Sequence, residues 1–134
     1  MFVLDASVTM RWYFEAGSHP RADAILDRLA SFSDTAAVPT IWRYEVSAVL
    51  ARAQLEDGAS AEDASEFLDD LGYLPIQIDS DALIFEHVHG IATKFHLTTY
   101  DAAYLELARR KQLPLASLDT KLVATCRLAG VPLF

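Results

Sequence analysis

Phe2-Val3-Leu4-Asp5-Ala6-Ser7-Val8 is the stretch on which the fold turns. Three apolar residues without polar alternation read as a strand buried on both faces, and an acid follows at once, where the strand gives way to a helix starting near Ser7. The same order, a short apolar run and then a turn or a helix start, recurs at residues 36–38, 74–78, 115–118 and 131–134. Helical stripes fill the gaps. Ala22, Ile25, Leu26 and Leu29 follow Pro20; Trp42, Val46, Val49 and Ala53 precede Gly58; Ala64, Phe67, Leu68 and Leu71 follow a Ser60 cap. Ile84, Val88, Ile91 and Phe95 form the next stripe, then Tyr100, Tyr104, Leu107 and Lys111, and a last helix over residues 120–129 stops at Gly130. This alternation predicts an α/β fold: a three-layer α/β/α sandwich around a mainly parallel five-stranded sheet, one domain over residues 1–134. Sites in open α/β sheets form outside the carboxyl ends of the strands, so that edge is where chemistry is expected.

Composition narrows the class. Of 134 residues, 52% are hydrophobic and 22% charged, a globular balance rather than a disordered one. The mean hydropathy of +0.18 is high for a soluble monomer and implies that a partner covers some apolar surface. A single cysteine, Cys126, allows neither an internal disulfide nor a thiolate metal cage and suits a reducing compartment. No apolar run approaches the roughly 18 residues of a membrane span, and no basic leader precedes Phe2, so the expected location is the cytoplasm. The net charge of −8 opposes the basic footprint of most nucleic-acid enzymes. Two divalent cations bound by acids would bring it to about −4 and meet phosphate in place of lysines.

Four acids fall where such ions would sit. Asp5 follows the first predicted strand and Asp119 the fourth, and the two are side by side if those strands are neighbours. Asp101 lies in the first turn of a helix, in Thr98-Thr99-Tyr100-Asp101. Glu45 has Ile41, Trp42, Val46 and Val49 at i−4, i−3, i+1 and i+4, beside an apolar stripe where an unpaired carboxylate is costly. It pairs with a cation such as Arg43 or Arg11, or reaches solvent, or is held against a metal. Each aspartate also has an ordinary reading: Asp5 and Asp119 as caps of the helices they precede, and Asp101 in a capping box with Thr98. Taken together, the acids form a group whose mutual repulsion a divalent cation best relieves. Oxygen ligands without histidine or thiolate select a hard ion, Mg²⁺ or Mn²⁺, which activates water for phosphodiester hydrolysis.

Leu4-Asp5-Ala6-Ser7-Val8, Glu45, Leu97-Thr98-Thr99-Tyr100-Asp101-Ala102-Ala103-Tyr104-Leu105 and Ala116-Ser117-Leu118-Asp119, in that order, resemble PIN-domain ribonucleases of the VapC toxin type over nearly the whole chain. The resemblance implies a metal-dependent endoribonuclease, the toxin of a toxin–antitoxin pair. It makes Asp5, Glu45, Asp101 and Asp119 an acidic tetrad around one or two Mg²⁺ ions, with Mn²⁺ as substitute. Asp5 and Asp101 would be direct ligands, and Glu45 and Asp119 would complete the site directly or through water. Ser7 and Ser117 would be supporting hydrogen bonders, although each also reads as an ordinary helix-start or strand-end serine. Arg11 stands where relatives often carry lysine and would contact RNA phosphate or balance the acids. The implied partners are an RNA substrate and a VapB-type antitoxin laying an amphipathic segment across an apolar groove, with a homodimer and a toxin–antitoxin hetero-oligomer as assemblies.

Other conspicuous residues read plainly. Trp12, Tyr13 and Phe14 form an aromatic run, at least one of them core. His87 and His89 point to different helix faces and make a poor metal pair, while His19 and His96 are isolated. Cys126 reads as a small core residue, and Arg109, Arg110 and Lys111 as cations at the negative end of their helix. Two other functions are open to the same acids, a metal-dependent phosphatase and a catalytically silent PIN-like binding module. The phosphatase requires a second acid two residues after Asp5, where Ser7 stands.

Overall fold

The computed structural model describes residues 1–81 and 85–134. Strand β1 (Phe2–Leu4) leads into helices α1 (Ala6–Phe14) and α2 (Pro20–Ala30), then β2 (Ala36–Pro39), α3 (Ile41–Glu56) and α4 (Ala61–Tyr73). Strand β3 (Ile76–Asp79), α5 (Phe85–Phe95), α6 (Thr99–Lys111), β4 (Leu115–Ala116) and α7 (Thr120–Ala129) complete the described elements. The four strands form one parallel sheet in the order β3-β2-β1-β4, flanked by helices. Every residue of β1, β2 and β4 is buried, as expected of parallel strands covered on both faces. Helix α6 packs against β1, β2 and α5, while α1 packs against α2 and α3.

The predicted fifth strand is not a strand. Residues 131–134 make one parallel bridge, Leu133 to Leu115, outside β4. Leu115 donates to Pro132 O and Phe134 donates to Leu115 O, but Pro132 has no N–H to continue a ladder. The tail is held instead by Phe134 stacking on Phe2, ring centroids 3.9 Å apart. The third strand begins at Ile76 rather than at residue 74, and the fourth ends at Ala116 rather than at residue 118. Of the stripe expected before Phe95, Ile84 lies outside the described residues, whereas Val88, Ile91 and Phe95 lie on α5.

The helix stops follow local chemistry. Gly130 takes φ +70° at the end of α7, and Gln112 closes α6 in the left-handed region at φ 55° before Pro114. Ser60 caps α4 through the Glu62 and Asp63 amides, as expected. His19 caps α2 through the Ala22 amide, a role its isolation in the sequence did not suggest. The aromatic run divides: Trp12 is core, its indole donating to Ala22 O at 2.8 Å, and Phe14 is 52% exposed.

From β1 the chain moves outward to β2 and β3, then returns to place β4 on the other side of β1. The β1–β4 boundary is therefore a topological switch point, with room at its carboxyl edge for a site.

Candidate active site

Asp5 stands at that boundary. It is the residue before α1, in extended conformation, yet its side chain makes no capping bond, so the helix-cap reading of Asp5 does not hold. The residue is 5% exposed, and its carboxylate faces two hydroxyls instead. Ser117 donates to Oδ2 at 2.6 Å, and Ser7 donates to the same oxygen. Each serine is fixed in turn by a backbone amide: Leu118 N–H donates to Ser7 Oγ and Asp119 N–H to Ser117 Oγ, both at 3.0 Å. Both serines are thus hydrogen-bonded to Asp5 and tied back to the chain that leads into α7. Oδ1 has no protein donor among the described residues and opens on the cavity. Burial pushes the Asp5 carboxyl above its usual range; the serine bonds oppose that rise, and the charges of Asp101 and Asp119 add to it.

The other three acids arrive from separate helices. Asp101 lies on the first turn of α6, where Thr98 Oγ1 accepts the Asp101 amide at 3.1 Å and donates to Asp101 Oδ2 at 2.7 Å. Asp119 caps α7, its Oδ1 accepting the Leu122 amide at 2.7 Å, so the bland reading of that residue is correct and leaves Oδ2 for the site. Glu45, half-buried on α3, pairs with neither Arg43 nor Arg11. Tyr104 of α6 donates its phenol to Glu45 Oε2 at 2.5 Å. Burial raises the Glu45 carboxyl; the phenol bond works against that, and Asp5 and Asp101 repel the charge. Burial beside Glu45 pushes the Tyr104 phenol far up, so it stays protonated and remains a donor.

All four acids line one cavity of about 390 Å³ together with Ser7, Arg11 and Phe14. None of the four is paired with a cation among the described residues. Arg11 pairs with Glu15, one turn along α1. No group of three or more His, Cys, Asp or Glu side chains among the described residues is drawn tightly enough to hold an ion unaided. The acids stand around the cavity, an arrangement that fits a hydrated hard cation. Mg²⁺ keeps several waters and takes one or two carboxylates directly.

Sequence reasoning placed Tyr104 on an apolar stripe and missed its hydroxyl's partner. The available signal was its position three residues after Asp101, which puts both on one face of α6. Arg110 and Lys111 lie in the last turn of α6, as expected of helix-end cations, and they have partners the sequence did not reveal. They bind the buried Asp79 at 2.7 and 2.6 Å, and Arg110 also binds Glu106 at 3.0 Å. His87 and His89 are exposed, and Cys126 is buried with its thiol pushed up to about 11 by desolvation. No helix among the described residues is long and apolar enough to cross a membrane.

The PIN domain family model matches residues 2–128. A search of curated proteins found no match. Among solved structures, VapBC2 from Rickettsia felis bound to a DNA fragment from its promoter superposes with a TM-score of 0.70 at 13% identity, covering 99% of this chain and 96% of that one. A toxin–antitoxin complex from Klebsiella pneumoniae gives 0.64 at 19% identity, covering 92% and 91%. PAE2754 from Pyrobaculum aerophilum gives 0.64 at 22%, covering 92% and 84%. At these identities the likeness is one of fold.

Proposed function

The chain belongs to the PIN-domain family, and on that premise we propose that it is a Mg²⁺- or Mn²⁺-dependent endoribonuclease, the toxin of a toxin–antitoxin pair. The observation that carries the reading is the convergence of Asp5, Glu45, Asp101 and Asp119, from four parts of the chain, on one cavity, with none of the four ion-paired among the described residues. Toxin–antitoxin complexes among the structural neighbours support the biological half of the proposal.

Asp5 and Asp101 would hold the ion, with Glu45 and Asp119 completing the site directly or through water. When bound, the ion supplies Lewis-acid stabilisation of phosphate charge and lowers the pKa of water. The protein's own groups do the positioning. Ser7 and Ser117 occupy Asp5 Oδ2 and leave Oδ1 for the cavity. Thr98 fixes the rotamer of Asp101. Arg11, on the cavity wall, would exchange Glu15 for an RNA phosphate. A VapB-type antitoxin would cover apolar surface near this cavity, where Phe14 is exposed. A phosphatase is disfavoured, because the position of its second acid is taken by Ser7, which donates to Asp5.

Asp5→Asn and Asp101→Asn should each abolish Mn²⁺-dependent cleavage of a mixed RNA substrate while leaving the circular dichroism spectrum native, and EDTA should silence the wild type. Full activity in either variant or in EDTA would overturn the enzyme reading and leave the silent binding module. Expression without the neighbouring antitoxin should arrest growth, and normal growth would remove the toxin role.

A further inference from the structure

Resting on that nuclease reading, we propose that Tyr104 is a positioning residue for Glu45, holding this carboxylate at the cavity before any ion arrives. Glutamate has three rotatable side-chain bonds. Glu45 sits half-buried on α3 with no cation partner among the described residues, and it is repelled by both Asp5 and Asp101. Left to those forces it would swing towards water. The only protein donor opposing this among the described residues is the Tyr104 hydroxyl, 2.5 Å from Oε2.

The donor is well placed for the task. The tyrosine is 0% exposed and lies in the middle of α6, a helix packed on β1 and β2, so its hydroxyl is fixed by the core rather than by a loop. Asp101 stands three residues earlier on the same helix. One rigid element therefore presents one acid directly and grips a second from across the cavity. Oε2 is occupied by the phenol, and Oε1 has no protein donor among the described residues. The relation parallels that of Ser7 and Ser117 to Asp5: one carboxylate oxygen anchored, the other available. Partners of this kind, one step removed from an ion, govern its affinity by about 10–100-fold in characterised metal sites.

The test is calorimetric titration of Mn²⁺ alone into four proteins: wild type, Tyr104→Phe, Glu45→Gln and the double variant. Phenylalanine keeps the buried ring and removes only the hydroxyl. Y104F should bind Mn²⁺ about tenfold more weakly, with a metal-free melting temperature close to wild type. RNA cleavage by Y104F should recover as Mn²⁺ is raised. Adding Y104F to E45Q should cost no further affinity, since the tyrosine acts only through that carboxylate. Wild-type affinity in Y104F, or additive losses in the double variant, would overturn the positioning role alone. Loss of Mn²⁺ affinity in step with a collapse of the metal-free melting temperature would assign Tyr104 to packing instead. A wild type that binds no Mn²⁺ would remove the metal reading and this role with it.

Discussion

Asp5→Asn should make the metal-free protein more stable at the same time as it abolishes activity. Asp5 is 5% exposed, and burial outweighs the two serine bonds in setting its protonation, with Asp101 and Asp119 pushing in the same direction. Asparagine can put its carbonyl oxygen where Oδ2 is and accept both hydroxyls. Its amide then takes the place of Oδ1, which faces the cavity and has no protein donor to lose. The substitution thus removes desolvation and repulsion without orphaning a buried group. A gain of about 1 kcal/mol is expected, within the usual range for relieving a strained functional site, or about 3–5 °C for a domain of this size.

The pH dependence has a definite direction. Because the folded-state carboxyl titrates above its ordinary value of 3.8, the destabilisation is absent below that value, where Asp5 is protonated in both states. It grows as pH rises through the folded-state value and is complete above it. Melts of wild type and D5N in EDTA should therefore converge near pH 3 and separate towards pH 7, with D5N the more stable. Saturating Mn²⁺ at pH 7 should reverse the order, since an ion at 100 times its Kd stabilises only the binding-competent protein, by about 2.7 kcal/mol. A D5N protein that melts below wild type in EDTA at pH 7 would refute the view that Asp5 is held under strain for a cation.

Two further substitutions test the frame around the acids. Arg110→Met keeps the aliphatic stem but strips Glu106 of its cation and Asp79 of one of its two, Lys111 being the other; the side chains of both acids are 4% exposed, and a loss of about 2–3 kcal/mol at pH 7 is expected in urea unfolding. Burial alone would raise the Asp79 carboxyl, but Arg110 and Lys111 outweigh it and hold it below 3.8, so this stabilisation exists above that pH and fades as pH falls through the folded-state value. The gap between wild type and R110M should narrow in acid, and a gap independent of pH would count against the ion pairs. Thr98→Val removes the α6 cap and the hydroxyl on Asp101 at constant shape; it should cost about 1 kcal/mol and weaken Mn²⁺ binding severalfold, whereas unchanged binding would free Asp101 of Thr98.

How far the sequence could be read depended on the range of the interaction. Strand burial, the Ser60 cap, the Gly130 stop and the adjacency of Asp5 and Asp119 all follow from residues within a few positions or from the parallel order of strands. The cap reading of Asp5 was equally local and failed, because two hydroxyls reach its side chain from positions 7 and 117 and draw it from the helix amides. The partner of Glu45 is 59 residues away, and nothing near position 45 announces it. Arg110 and Lys111 are the helix-end bases their positions announce, but their partner Asp79 lies 31 residues from Arg110, and nothing near either end of that pair points to it. The fifth strand failed on one atom, the N–H that Pro132 lacks.

The bond from Ser117 to Asp5 spans 112 positions, and its consequence lies in the order of synthesis. Strand β1 is made well before β4, so the β4 side of β1 stays unpaired until Leu115 and Ala116 are available. At roughly 5–20 residues per second on the ribosome, the 16 positions from Asp101 to Ser117 leave the nascent chain carrying Asp5, Glu45 and Asp101 without Ser117 or Asp119 for about 1–3 seconds. A chain interrupted between Asp101 and the fourth strand has three of the acids and no closed frame to hold the first of them.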